Sequence, residues 1–179
     1  MKQMNLPNKL TLLRILLVPL IILCFYLPPW GRWVGVVLFA AASLTDLADG
    51  RYARSHNLVT DFGKFMDPIA DKLLVNSVLI MLTAVGAVPP VVCILFIARE
   101  FAVSGLRLVA AGKGKVLPAG NLGKIKTTLQ DLALPFLMVG AAHPVLRGIG
   151  LVLLYGALIM SLWSGFDYIY SNRGYIQAQ

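Results

Sequence analysis

The chain has 179 residues, of which 58% are hydrophobic and 13% are charged, and its formal net charge is +8. Soluble domains carry about 25% charged residues, so this composition argues against a soluble domain and predicts one integral membrane domain over residues 1–179. The positive charge is explained better by a cytoplasmic face beside anionic lipids than by nucleic acid, because the sequence offers no separate polar domain.

Six apolar runs predict six transmembrane helices, over about 8–27, 33–54, 60–85, 89–111, 120–142 and 145–171. Only Arg32 and Arg147 lie on the side of the proline-rich breaks, and all other basic residues lie on the opposite side. Cytoplasmic flanks carry the excess of Lys and Arg, so both termini are expected in the cytoplasm. The predicted fold class is therefore an all-α polytopic membrane protein.

The second and third predicted helices each carry an acidic face. Asp46 and Asp49 share one side of the second helix, and Asp67 and Asp71 lie one turn apart on the third. Charged side chains at membrane depth cost several kcal/mol unless they are paired or hydrated, so these acids indicate a function. Carboxylates from two helices suit a hard divalent cation, Mg²⁺ or Mn²⁺, and two ions would balance four charges.

Two alternatives to a metal site remain open from the residues alone. The acids could form a structural salt-bridge network with four nearby cations, although Arg51 lies off the face of the first acidic pair. Intramembrane acids also serve as proton relays and ion pathways. The four cations of the first alternative are Arg51, Arg54, Lys64 and Lys72.

Basic residues also interrupt the fourth and fifth helices. Arg99 and Arg107 are two turns apart on nearly one face, whereas the adjacent Arg99 and Glu100 point in different directions and should not pair. We therefore expect the two arginines to bind a ligand. Lys124 and Lys126 begin the fifth helix and are expected nearer the surface, either solvated or binding the same ligand.

The acidic motif resembles the signature of the CDP-alcohol phosphotransferase family, position for position: Asp46-x2-Asp49-Gly50-x2-Ala53-Arg54-x8-Gly63-x3-Asp67-x3-Asp71. Three further patterns resemble the bacterial branch of that family whose acceptor is sn-glycerol 3-phosphate. They are Asn5-x-Pro7-x3-Thr11-x2-Arg14, Ala98-Arg99-Glu100 and Gly123-Lys124-x-Lys126-Thr127. The resemblance spans nearly the whole chain.

The resemblance implies transfer of the phosphatidyl group of CDP-diacylglycerol to sn-glycerol 3-phosphate, at the cytoplasmic side of a bacterial inner membrane and in a homodimer. It implies metal ligation by Asp46, Asp49 and Asp67, with Asp71 as the general base and a further ligand. The implied nucleotide-binding residues are Asn5, Thr11, Gly50, Ala53, Arg54 and Gly63, and the acceptor phosphate is assigned to Arg99, Arg107, Lys124 and Lys126.

Alternatives within the family are other acceptors, namely inositol phosphate, serine or a second phosphatidylglycerol. A phosphorylated acceptor is favoured because a neutral alcohol would not require guanidinium groups within the membrane. Outside the family, a small cation or proton transporter could use the same acids. The outer halves of the helices contain almost no polar residues, which argues against a transport path.

Overall fold

A computed structural model describes residues 6–55, 61–114, 117 and 121–173, with the side chains at 6–7, 46–55, 61–62, 64–65 and 121 outside that description. Within these residues the chain forms six α-helices and no strand. The helices are α1 (Leu6–Cys24), α2 (Pro29–Ser55), α3 (Asp61–Ala84), α4 (Pro90–Gly112), α5 (Asn121–Val139) and α6 (Pro144–Ser171). The all-α fold class is thereby confirmed.

The observed helix ends lie within four residues of the predicted ones. The largest difference is at α2, which begins at Pro29 instead of 33. Proline is accommodated in the first helical turn, where the missing N–H would have had no partner in the helix. Between α1 and α2 the chain turns at Phe25 and Tyr26, whose backbone N–H groups donate to the carbonyl oxygens of Ile22 and Leu23.

The helices pack around one apolar core. α5 lies along α6 over most of its length, α1 packs against α2 and α3, and α4 packs against α6. The close approach of α5 to α6 depends on Gly150, where an added Cβ would lie 2.8 Å from Cγ of Leu137. The largest fully buried apolar side chains include Ile21, Phe39, Leu74, Leu79, Leu82, Phe96, Leu134, Met138 and Leu154.

Large apolar side chains also cover the outside of the molecule. Each helix exposes at least one such residue, for example Leu16, Val37, Ile80, Phe101, Leu132 and Val152. By length and composition, Pro144–Ser171 is the one helix among the described residues that could cross a membrane. α4 is also long, but it contains three charged residues. The six spans and the side on which the termini lie stay predictions.

Candidate active site

One cavity of about 780 Å³ is lined by residues of α2 through α6. It brings together side chains that are distant in sequence, because α3, α4 and α5 each turn a polar stretch toward the same space. Five residues predicted for the reaction lie on its wall: Asp71, Arg99, Arg107, Lys124 and Lys126. The predicted base and the predicted acceptor-binding cations therefore share one cavity.

Asp67 and Asp71 lie one turn apart on α3, and both side chains are partly buried. Thr11, which is buried on α1, donates its hydroxyl to Oδ1 of Asp67 at 2.5 Å. A hydroxyl that donates to a carboxylate makes a short, charge-assisted hydrogen bond and fixes the orientation of the acceptor. Thr11, assigned above to the nucleotide, is therefore also a partner of a predicted metal ligand.

The other predicted residues of the acidic motif are described less completely. Asp46, Asp49, Gly50, Ala53 and Arg54 have their backbone in α2, but their side chains lie outside the described residues. Asn5 lies wholly outside them, and Gly63 is buried on α3.

No group of three or more His, Cys, Asp or Glu residues that could hold a metal ion occurs in the described part of the chain. Two of the four predicted carboxylates, Asp67 and Asp71, are described there. Their oxygen donors, one of them oriented by Thr11, fit the ligand preference of Mg²⁺ or Mn²⁺. Of the four cations in the salt-bridge alternative, only Lys72 has a described side chain, and its ammonium donates to the hydroxyl of Ser104.

Lys126 was expected near the surface, but its side chain is only 4% exposed. Its ammonium lies 2.5 Å from Oε1 of Glu100 and 5.5 Å from the centre of the Phe96 ring. The amide of Asn76 donates to the other oxygen of Glu100 at 3.3 Å. Burial is possible because the carboxylate compensates the lysine charge and the face of the Phe96 ring attracts the ammonium.

Arg99 is anchored by the last helix, which the sequence interpretation had not connected to the site. Its Nε donates to the carbonyl oxygen of Ser161 at 3.0 Å, and Nη2 donates to the hydroxyl of Ser164 at 2.7 Å. Gly165 leaves room for it, since an added Cβ would lie 2.9 Å from Cγ of Arg99. Ser161 and Ser164 are small polar residues within the apolar run of α6, and in the sequence they were the feature that could have indicated this contact.

Arg107 and Lys124 are the predicted cations nearer the ends of their helices. Nε of Arg107 donates to the hydroxyl of Tyr168 at 3.1 Å, and its guanidinium carbon lies 5.2 Å from the centre of that ring. Lys124 is exposed. The cavity wall also includes Asp167 of α6, which sequence reasoning missed.

Comparison with known proteins agrees with the motif. The profile of the family described as CDP-alcohol phosphatidyltransferase matches residues 4–163. The chain is 45% identical to a CDP-diacylglycerol–glycerol-3-phosphate 3-phosphatidyltransferase of Rickettsia bellii, covering 96% of this chain and 97% of the relative. It is 44% identical to the enzyme of the same name from Bacillus subtilis, covering 94% and 95%.

A third relative is the probable phosphatidylglycerophosphate synthase of Mycobacterium tuberculosis, which is 38% identical and covers 92% of this chain and 80% of the relative. The matched family consists of membrane enzymes that generally use a divalent metal ion. The profile match and these identities both extend over most of the chain. On this evidence the chain belongs to the CDP-alcohol phosphatidyltransferase family.

Proposed function

We propose that this enzyme transfers the phosphatidyl group of CDP-diacylglycerol to sn-glycerol 3-phosphate, releasing CMP and forming phosphatidylglycerophosphate. The observation that carries the proposal is the single cavity in which Asp71 faces the same space as Arg99, Arg107 and Lys124. A carboxylate beside several cations suits a reaction that deprotonates an alcohol carrying a phosphate. The names of the close relatives support the same donor and acceptor.

In the proposed reaction, a primary hydroxyl of the acceptor attacks the β-phosphorus of CDP-diacylglycerol. The new O–P bond replaces the bond to CMP, and Asp71 accepts the hydroxyl proton. Asp46, Asp49, Asp67 and Asp71 would hold two divalent ions, Mg²⁺ or Mn²⁺, which when bound neutralise the pyrophosphate and the leaving CMP. Thr11 orients one of these carboxylates through its hydrogen bond to Asp67.

In this proposal, two different groups of residues bind the two substrates beside Asp71. Small residues beside the acids leave room for the cytidine diphosphate. Residues of α1 and Arg54 make polar contacts with it. The proposed nucleotide-binding residues are Asn5, Thr11, Gly50, Ala53, Arg54 and Gly63. The acceptor phosphate binds at the cationic wall formed by Arg99, Arg107, Lys124 and Lys126.

The structure supports different contributions from those four cations. Arg99 is held by α6, so its planar guanidinium is fixed in direction before any ligand binds. Lys126 contributes as part of a pair with Glu100, which reduces its net charge. Arg107 and the exposed Lys124 therefore supply most of the attraction for a phosphate that enters from water.

We further propose that all six helices span the membrane as one domain over residues 1–179, with the cavity open to the cytoplasm. Support comes from the exposed apolar side chains on every helix, which would be covered by lipid. Lys113→Cys should react with an impermeant thiol reagent only from the cytoplasmic side, and Arg147→Cys only from the other side. The opposite labelling pattern would overturn this orientation. A homodimer, also proposed, would show twice the chain mass in light scattering after subtraction of detergent.

The acceptor is tested by measuring CMP release from CDP-diacylglycerol by the purified enzyme with a panel of alcohols. We expect activity with sn-glycerol 3-phosphate, none with free glycerol, and loss of activity in excess EDTA that is restored by Mg²⁺ or Mn²⁺. Serine, inositol phosphate or a second phosphatidylglycerol as the best acceptor would refute the proposed function. Full activity in EDTA would refute the metal site.

The role of Asp71 is tested by Asp71→Asn, which keeps the shape of the side chain but removes its ability to accept a proton. General-base catalysis is typically worth 10²–10⁴-fold, so turnover should fall by about that factor. Binding of CDP-diacylglycerol, measured by calorimetry, should change little. Loss of nucleotide binding would instead identify Asp71 chiefly as a metal ligand.

A further inference from the structure

Gln130 is a buried polar residue for which the proposed reaction gives no role. It lies on α5, is 1% exposed and lines the cavity that contains Asp71 and Arg99. Both side-chain atoms of its amide, Oε1 and Nε2, lack a hydrogen-bond partner in the described residues. Buried side-chain amides are nearly always hydrogen-bonded, so an unsatisfied amide on a cavity wall indicates a group that binds there.

The surroundings of Gln130 make this indication stronger. The next turn of α5 carries Ala133 and Leu134 on the same face, and both are fully buried in the apolar core. An apolar residue of the same length would fit that position without leaving donors and acceptors unpaired. The amide is therefore better explained by recognition of a ligand in the cavity than by packing.

The chemistry of the carboxamide limits what it can recognise. Its oxygen accepts and its NH₂ group donates, so it is best matched by a group that both donates and accepts. A phosphate dianion only accepts and an ammonium only donates, whereas an alcohol hydroxyl does both. The unsatisfied atoms of Gln130 thus point to a hydroxyl group.

The position of Gln130 relates it to the phosphate-binding wall. Lys126 precedes it by four residues, so the two lie on the same face of α5 and about 6 Å apart along the helix axis. A small molecule with a phosphate near the cations can therefore present a hydroxyl one turn deeper. sn-Glycerol 3-phosphate carries two hydroxyls, of which one reacts and the other is left for recognition.

We propose that Gln130 binds the non-reacting secondary hydroxyl of the acceptor and thereby selects a glycerol phosphate over phosphorylated alcohols that lack this group. The proposal rests on the proposed function, because it assumes that the acceptor is sn-glycerol 3-phosphate. It adds a residue that determines which phosphorylated alcohol is used, whereas the cationic wall recognises only the phosphate.

The test compares two acceptors that differ only at this hydroxyl, sn-glycerol 3-phosphate and 3-hydroxypropyl phosphate. CMP release gives kcat/KM for each with the wild type, Gln130→Met and Gln130→Asn. We expect the wild type to prefer glycerol 3-phosphate by about tenfold to hundredfold. Gln130→Met should bring the ratio close to one, mainly by losing activity toward glycerol 3-phosphate, and Gln130→Asn should give an intermediate ratio.

Asn76→Leu is the matched control, because it removes a partly buried amide that is bonded to Glu100 and does not line the cavity. It should change kcat/KM for both acceptors by the same factor, so that their ratio stays at the wild-type value. An unchanged ratio in Gln130→Met, or in Gln130→Asn if the first variant does not fold, would show a structural or water-binding role and overturn the inference. Failure of the proposed function itself would appear separately, as a wild type that does not use glycerol 3-phosphate.

Discussion

Removing one partner of the buried pair between Lys126 and Glu100 should destabilise the protein strongly. Their side chains are 4% and 11% exposed, and the charged atoms lie 2.5 Å apart. Lys126→Met would remove the ion-pair partner of the Glu100 carboxylate, which would keep the hydrogen bond from Asn76, and Glu100→Gln would leave the buried ammonium without its carboxylate. Loss of one member of a buried pair typically costs about 3–5 kcal/mol.

The double variant Lys126→Met with Glu100→Gln removes both charges and should recover most of this loss, because no unpaired ion remains. Thermal unfolding in detergent micelles, followed by tryptophan fluorescence, measures the effect. A loss of 3–5 kcal/mol corresponds to a fall in Tm of about 6–20 °C for a chain of this length. The single variants should show that fall, and the double variant only a small part of it.

Lys124→Met is the matched control, because the same substitution two residues away removes an exposed charge. It should change the free energy of unfolding by no more than about 0.5 kcal/mol. Single variants at Lys126 and Glu100 that unfold like the control would refute the reasoning. A double variant as unstable as the worse single variant would also refute it, since packing and not charge would then explain the loss.

Two further predictions concern residues that position the site. Thr11→Val removes the hydroxyl that donates to Asp67, so the Mg²⁺ concentration for half-maximal activity should rise about tenfold to hundredfold. Thr11→Ser should restore it, and an unchanged Mg²⁺ titration would contradict the positioning role. Gly165→Ala should displace Arg99 and raise the acceptor KM about tenfold, with little change for CDP-diacylglycerol. Gly156→Ala, where an added Cβ meets nothing within 4 Å, is the control, and equal effects of both variants would contradict this contact.

The sequence by itself determined the helices and the chemistry of the motif. Apolar runs separated by proline breaks at Pro28, Pro89 and Pro144 and by polar breaks at 55–59 and 112–117 predicted all six helices, because helix formation and helix breaking are governed by neighbouring residues. The spacing of Asp67 and Asp71 was sufficient to place them on one face of α3, since a turn of helix has a fixed length. The family followed from the same local spacing and agrees with the profile match.

Contacts between helices were decided only by the tertiary structure. Periodicity indicated that Glu100 should not face its neighbour Arg99, but it could not show that Lys126 of α5 lies within reach of Glu100. Nor could it show that α6 anchors Arg99 through Ser161 and Ser164. Such pairings depend on how each helix is rotated and how deeply it is packed, and the sum of many weak apolar contacts distributed along the chain sets both.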